Sequence, residues 1–146
     1  MLIYEVTTDK ARIDFALVWH FLNEQSTWAR GIPHDLFDRA MTNALCFAGI
    51  LGGEQIAFAR VISDYATFAN LVDVFVVPEF RGQGYATRLL EAVFGHPDLQ
   101  GLRRFTLATR DAHPLYARFG FHAPLLPETL MERYHPDIYT GRDDAL

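Results

Sequence analysis

The chain has 146 residues, of which 50% are hydrophobic and 14% are aromatic. This composition excludes an intrinsically disordered protein, and a chain of this length can bury a core of its own. The 13 basic and 18 acidic residues give a net charge of −5, so the basic footprint of a nucleic-acid-binding protein is absent. The single cysteine, Cys46, excludes an internal disulfide.

The first residues alternate between apolar and polar side chains and do not have the pattern of a signal peptide. No apolar run approaches the ~20 residues of a membrane span. The six histidines show no paired spacing of the kind that holds a metal ion. We therefore expect a cytoplasmic, metal-free single domain over residues 1–146 with a loose tail at 141–146, and we expect neither membrane nor nucleic acid as a partner.

The N-terminal part of the chain predicts one strand and two helices. Alternation over residues 2–6 predicts the strand. Apolar residues at helical spacing predict a helix over Asp14–Glu24. A loop is expected at Ser26–Pro33, where Gly and Pro interrupt the pattern, and a shorter helix at Asp35–Asn43.

The middle of the chain predicts three strands, at Leu45–Leu51, Gln55–Ser63 and Phe68–Val77. Gly52–Gly53 separates the first two and predicts a tight hairpin, because primed turns need positive φ angles. Regular alternation in the third strand would place four side chains on one face, Leu71, Asp73, Phe75 and Val77, and three on the other, Val72, Val74 and Val76. Since both faces are nearly apolar, this strand is expected to be central and covered on both sides.

The last part of the chain predicts two further helices and up to three strands. In chain order these are a helix at Gly84–Phe94, a strand at Arg103–Thr109, a short helix capped by Asp111 and ended by Gly120, and short strands at Phe121 and Met131–Tyr134. Antiparallel strands followed by a β–α–β crossover are typical of an α+β domain with a mixed sheet.

Two glycines, Gly82 and Gly84, lie between the end of the third predicted strand and the helix that follows. Backbone N–H groups at such a turn can approach a ligand closely, and the helix N-terminus adds unpaired donors and a partial positive charge. This predicts an anion site suited to a phosphate or pyrophosphate. The alternative is a tight turn in which the glycines are needed for steric reasons alone and no ligand binds. A Walker A loop is excluded, and Thr87 stands where a dinucleotide fingerprint has its third glycine.

Two motifs resemble those of the GCN5-related N-acetyltransferase (GNAT) superfamily. The first is Arg81-Gly82-Gln83-Gly84-Tyr85-Ala86, preceded by a Val-x-Pro-Glu-aromatic approach at Val76–Phe80. The second is the Leu-Tyr-x-x-x-Gly-Phe pattern at residues 115–121. The resemblance extends from Ile3 to about Tyr134 and is strongest to small uncharacterised bacterial members. It implies a single-domain α+β fold, with a mixed, mostly antiparallel sheet that a bulge splits and about four helices flank.

The resemblance also implies a reaction, the transfer of an acetyl group from acetyl-CoA to a primary amine of a small molecule or peptide by direct attack in a ternary complex. Backbone amides would hold the pyrophosphate, and a strand edge would pair with the pantetheine arm. The residues implied to contact the cofactor are Val74, Phe75, Val76, Arg81, Gly82, Gln83, Gly84, Tyr85, Ala86, Thr87 and Thr109. The Val76 N–H would stabilise the oxyanion, and Tyr116 would act as the general acid.

The general base and the acceptor site are less defined. The family's usual acidic positions fall on Asn70 and Val72, so the adjacent Asp73 is the candidate base, with His113 or a water chain as alternatives. Acceptor contacts are expected from Trp28, Asp64 and Tyr65, which would supply two aromatic walls and a carboxylate for a cationic amine.

Two other functions stay open at this point. A non-catalytic acyl-CoA-binding or regulatory module on the same fold is favoured by the neutral residues at positions 70 and 72. A nucleotide- or dinucleotide-binding protein would instead bind NAD or ATP and ignore CoA. An exposed strand edge near the C-terminus makes a homodimer possible in either case.

Overall fold

A five-stranded sheet forms the centre of the computed structural model, which describes residues 1–141. The strands lie in chain order across the sheet: β1 (Tyr4–Thr7), β2 (Leu45–Leu51), β3 (Glu54–Ser63), β4 (Phe68–Val76) and β5 (Arg104–Leu107). Strands β1 to β4 pair antiparallel with one another, and β5 is parallel to β4. The mixed, mostly antiparallel sheet expected from the sequence is confirmed.

Four α-helices flank the sheet: α1 (Phe15–His20), which continues as a π-helical turn (Phe21–Gln25), α2 (His34–Thr42), α3 (Tyr85–Phe94) and α4 (His113–Ala117). Short 3₁₀ turns lie at Lys10–Arg12, Pro78–Phe80, Pro97–Leu99, Pro127–Thr129 and Ile138–Thr140. Over residues 1–141, none of these helices has both the length and the apolar content for a membrane crossing.

The core has two apolar layers, one on each face of the sheet. Residues of α1 and α2, among them Val18 and Phe37, pack on one face together with Cys46 and Phe75. Residues of α3, among them Leu89 and Val93, pack on the other face. The Cys46 thiol is fully buried, and burial raises its pKa to about 11, so it behaves as a small apolar side chain.

The prediction about the two faces of β4 is wrong. Leu71 and Val76 pack in the same layer, against α3, whereas Phe75 packs in the opposite layer. The cause is a β-bulge. Asp73 has a φ of 58°, and the register between β3 and β4 shifts at this point. An extra residue in one strand reverses the alternation beyond it.

The predictions for the end of the chain are also corrected. Residues 121–141 contain no strand, so the strands expected at Phe121 and Met131–Tyr134 are absent. Pro124 and Pro127 contribute to this, because proline cannot donate to a strand ladder. Asp111 does not cap α4; the side-chain acceptor there is Thr109 Oγ1, which receives the Ala112 N–H at 3.0 Å. Of the expected tail, residues 142–146 lie outside the described residues.

Gly49 provides a test of the packing between β1 and β2. A Cβ atom at this position would overlap the Tyr4 hydroxyl and lie 2.9 Å from the Ala57 Cβ. We expect Gly49→Ala to lower the free energy of unfolding by about 2 kcal/mol, as over-packing does. Urea denaturation measures the change. In a Tyr4→Phe background the loss should be smaller, since the clashing oxygen is gone; an equal loss in both backgrounds would contradict this account.

Candidate functional site

The edge of β4 is open over its second half. Strand β4 runs to Val76, but its pairing with β5 covers only Phe68–Leu71. From Val72 to Val76, no strand among residues 1–141 pairs with β4 on the β5 side. We call these residues the open edge. The sheet therefore splits into a V at the point where the bulge lies, as the resemblance implied.

The bulge and the strand end orient the backbone groups of Val76. The Val77 N–H donates to the Ile56 carbonyl at 2.8 Å, on the β3 side. Backbone groups alternate sides along a strand, so the Val76 N–H points towards the opening of the V. The Val76 carbonyl accepts from Arg81 Nε at 2.9 Å, which fixes the following loop against the end of the strand.

A buried carboxylate holds the bulge. Asp73 is 6% exposed, and both of its oxygens have partners. Arg60 Nε donates to Oδ2 and Trp28 Nε1 donates to Oδ1, each at 2.8 Å. We call Trp28, Arg60 and Asp73 the bulge network. It joins β3, β4 and the loop after α1, and it leaves no oxygen of Asp73 without a donor.

Trp28 reaches Asp73 because the chain leaves α1 through the π-helical turn. Ser26 N–H closes this turn on the Phe21 carbonyl at 2.8 Å. The buried Ser26 hydroxyl donates to the Leu22 carbonyl and accepts the Ala29 N–H. The loop is thus fixed on both sides of Trp28, whose side chain stays 47% exposed beside the bulge. Single-turn π-helices of this kind often lie at functional sites.

The loop from Arg81 to Gly84, the glycine loop, leads into α3, and its backbone N–H groups after Arg81 are free. Gly82 and Gly84 have φ angles of 74° and 87°, which favour glycine, and no atom lies within 4 Å of a Cβ built on either residue. Within residues 1–141, the backbone N–H groups of residues 82–87 donate to no protein acceptor. These amides and the start of a ten-residue helix form a cradle for an anion.

Two side chains fix the start of α3. The Tyr4 hydroxyl donates to the Tyr85 carbonyl at 3.2 Å, and the Arg88 guanidinium lies 4.8 Å from the centre of the Tyr4 ring. Burial raises the pKa of Tyr4 to about 12, so the hydroxyl remains a donor across the physiological range.

Tyr116 is a buried phenol whose hydroxyl has no hydrogen-bond partner among the described residues. Its side chain is 8% exposed and packs in the same layer as Val76. Burial raises its pKa above the ordinary value of 10. The hydroxyl is therefore protonated at neutral pH and has a proton to donate.

The other predicted acceptor residues lie far from the bulge. Asp64 and Tyr65 form the β3–β4 turn, and Thr67 at its end lies six positions, or about 20 Å of extended strand, before Asp73. The Thr67 hydroxyl and three backbone N–H groups donate to the Asp64 carboxylate, which holds its pKa well below the usual range. Trp28 alone of the three lies beside the bulge.

Other predicted residues have local roles. The Phe75 ring stacks on Phe21 with centroids 3.9 Å apart, and its backbone pairs with Phe58 of β3, so neither its ring nor its backbone groups face the open edge. Asn70 accepts from the Thr106 hydroxyl at 2.8 Å, where β4 and β5 begin to separate. His113 is exposed at the start of α4. Over residues 1–141, no group of three His, Cys, Asp or Glu side chains is arranged to hold a metal ion.

Sequence reasoning missed Arg60, the ion-pair partner of Asp73. The signal was present, because Arg60 is a lone cation within an apolar strand and Asp73 is a lone carboxylate in the next one. Charged side chains in buried strands are rarely buried unless each has a partner of opposite charge.

Comparisons with known proteins agree on one family. The profile of the acetyltransferase (GNAT) family matches residues 14–121. A crystal structure from Xanthomonas campestris pv. campestris, provisionally assigned as a GNAT-family acetyltransferase, is 56% identical with a TM-score of 0.92 over 94% of this chain and 97% of that one. A provisionally assigned acetyltransferase from Gibberella zeae is 29% identical, covering 79% of this chain and 76% of that protein. A predicted acetyltransferase from Clostridium acetobutylicum, crystallised with acetyl-CoA, shares the fold at 16% identity, with a TM-score of 0.66 over 92% of this chain and 96% of that one.

The bulge network makes a stability prediction. Asp73→Ala leaves the Arg60 charge and the Trp28 N–H without their buried acceptor, and we expect a loss of about 3 kcal/mol in the free energy of unfolding. Denaturant unfolding measures the loss, and the emission of Trp28 in a Trp19→Phe background reports on the network itself. The matched control is Asp38→Ala, which breaks an exposed pair with His34 and should change stability by less than about 0.5 kcal/mol. Equal effects at both sites would refute the structural role of Asp73.

Proposed function

The chain belongs to the acetyltransferase (GNAT) family, and we propose that it transfers an acetyl group from acetyl-CoA to a primary amine of a small molecule or peptide by direct attack in a ternary complex. The observation that carries the proposal is the continuity of two binding features. The open edge of β4 ends at Val76, and the glycine loop with its free donors follows within a few residues. An extended arm with a pyrophosphate at one end matches this arrangement.

The described residues fit acetyl-CoA. Free N–H groups of residues 82–87 would bind the pyrophosphate, and the positive φ angles of Gly82 and Gly84 keep the approach clear of side chains. Backbone groups of Val74 and Val76 would pair with the pantetheine amides in the manner of an added strand. When bound, acetyl-CoA supplies an activated acyl group.

Two groups would assist the transfer. The Val76 N–H points into the V and would donate to the carbonyl oxygen on which negative charge develops. The neutral Tyr116 hydroxyl would give its proton to the departing thiolate. Its raised pKa keeps that proton in place at neutral pH.

Asp73 is proposed as a positioning residue and not as the general base. Its carboxylate is engaged by Arg60 and Trp28, so it has no free oxygen to receive the proton of an amine. We therefore propose that the amine enters in its neutral form or loses its proton to water. The exposed face of Trp28 would form a wall of the acceptor site, where an aromatic ring favours an amine.

A non-catalytic acyl-CoA-binding module is the second candidate. One specific observation favours it: Asp73 is the only carboxylate in β4, and it is buried in the bulge network. The two candidates differ in one measurable respect, since a module would bind acetyl-CoA but release no thiol with any amine.

The first experiment is a calorimetric titration with acetyl-CoA, CoA, NAD and ATP. We expect binding that is selective for acetyl-CoA and CoA, and we expect Gly84→Ala to weaken it about tenfold, equivalent to 1.4 kcal/mol of lost contacts, because the new side chain disfavours the φ of 87° that directs the amides. Gly53→Ala is the matched control, with a φ of 84° and the same open surroundings in the β2–β3 hairpin. Equal affinity in the two variants would remove the glycine loop from the site, and binding of NAD or ATP without CoA would replace the proposal by a nucleotide-binding one.

Tyr116→Phe tests the acid. Thiol release over a panel of primary amines should fall about a hundredfold, while the affinity for acetyl-CoA should not change. In the unmodified protein the rate should rise with pH as the amine loses its proton, and it should fall only above pH 10, since burial raises the pKa of Tyr116. The falling limb should be absent in the variant. A variant with the same rate at every pH would exclude Tyr116 as the acid.

A further inference from the structure

A buried ion pair beside the cleft engages the carboxylate of Asp73 completely. The side chains of Arg60 and Asp73 are 15% and 5% exposed, and 2.8 Å separates Arg60 Nε from Asp73 Oδ2. The other carboxylate oxygen accepts from Trp28 Nε1. A proton added to Asp73 would leave the guanidinium without its counter-charge, and an unpaired charge at a nearly buried site is strongly destabilising. Asp73 therefore cannot take the proton of an acceptor amine without breaking the bulge network.

The other ionisable side chains on the strands around the cleft do not replace it. In the described part of the chain, β3, β4 and β5 carry one further carboxylate, Glu54, and one further cation, Arg104. Glu54 is exposed in the β2–β3 hairpin, three positions before Ala57, which pairs with the last residue of β4. On β2, the charges of the ion pair reach the Cys46 thiol, but burial raises the thiol pKa to about 11 and keeps it neutral. Among residues 1–141, these strands thus place no free carboxylate in the cleft.

The part of the cleft where the acyl group would lie is apolar and buried. Val74, Val76 and the ring of Tyr116 belong to one layer, in which Val76 and Tyr116 are each 8% exposed. Removal from water penalises the charged form of an amine and so favours the neutral form. The titratable groups of the loops around this layer are exposed to water: Glu79, Asp111 and His113. Among the side chains that the structure describes, an ammonium group therefore finds neither a counter-charge nor a base at the buried end of the cleft.

We propose that the acceptor is a weakly basic primary amine, of the kind found at the α-amino end of a peptide, and that lysine-like alkylamines react slowly. The inference rests on the proposed acetyl transfer and narrows its acceptor. With Asp73 engaged, the amine must lose its proton to water before it attacks. At pH ~7.5, about one in three α-amino groups of pKa ~7.8 is neutral, against about one in a thousand lysine side chains of pKa ~10.4.

The transfer step balances without a general base. The neutral amine nitrogen forms the bond to the acyl carbon, and the bond between that carbon and sulfur breaks. The Tyr116 hydroxyl protonates the departing thiolate. The new amide nitrogen releases its extra proton to water, and water returns a proton to Tyr116. The rate at a fixed pH therefore follows the fraction of the acceptor that is already neutral.

A single peptide tests the proposal because it carries both kinds of amine. The probe is a tetrapeptide amide with alanine at its free N-terminus and lysine at its third position, incubated with acetyl-CoA and the full chain. Fragmentation in a mass spectrometer locates the acetyl group, and the uncatalysed reaction is subtracted. At pH ~7.5 we expect the α-amine to react about a hundredfold faster, somewhat less than the neutral fractions alone give, because a neutral lysine is the better nucleophile. At pH ~10, where both amines are largely neutral, the preference should shrink to a few-fold.

The outcomes separate this inference from the proposed function. Faster acetylation of the lysine side chain at neutral pH would overturn the inference and leave acetyl transfer intact. A preference that does not change with pH would do the same, because an enzyme with its own base takes the proton after binding. If the protein binds acetyl-CoA and acetylates neither amine, the proposed function fails and the inference fails with it.

A carboxylate introduced into the cleft should widen the range of acceptors. Val72 begins the open edge and lies opposite Arg60 in the pairing of β3 and β4. In Val72→Glu, a second carboxylate beside the bulge can accept the proton of the amine, so acetylation of the lysine side chain at pH ~7.5 should rise about tenfold relative to the α-amine. Val72→Gln is the matched control, with the same size and no charge, and circular dichroism confirms that both variants fold. Equal preferences in the two variants would contradict the proposal.

Discussion

The structure depends on a single buried carboxylate in an unfavourable backbone position. Asp73 has a positive φ angle, which costs free energy for any residue other than glycine. Two charge-assisted hydrogen bonds, from Arg60 and Trp28, offset that cost. The bulge and the place of Trp28 are therefore linked through the carboxylate, which contacts Arg60 of β3 and Trp28 of the loop at the point where the sheet splits.

The bulge divides β4 into two halves with different neighbours. Up to Leu71, the strand is a regular member of the sheet, with β3 on one side and β5 on the other. Beyond Asp73, the strand keeps β3 but has no partner on the β5 side, so its backbone donors and acceptors are directed into a cleft. A ligand with amides along an extended arm can replace the missing strand. In the function that we propose, the same constraint supplies both the space for the cofactor and the groups that would bind it.

Local patterns predicted most of the elements, and tertiary contacts determined the rest. The β2–β3 hairpin and α3 follow from Gly52–Gly53 and from apolar residues at helical spacing, which are properties of short stretches of chain. The bulge breaks the period-two pattern on which the faces of β4 were predicted, and only the resemblance indicated it. The hydrogen bonds of Asp73 could not be predicted from the neighbouring sequence, because its two partners lie 13 and 45 positions away. The glycine loop was predictable, since its donors and its φ angles are local.

The cleft and the exposed segment at residues 122–134 have a common structural origin. A cleft between β4 and β5 requires that their pairing stop at Leu71, which limits β5 to four residues. This short strand pairs with β4 through all four of its residues, and no strand among residues 1–141 pairs with its outer side. Prolines at 124 and 127 prevent the following segment from adding a regular strand, so β5 keeps an unpaired outer edge among residues 1–141. Contacts of the Phe105 ring with Phe94 and Phe121 therefore hold this strand, which forms one wall of the opening beside Val72–Val76.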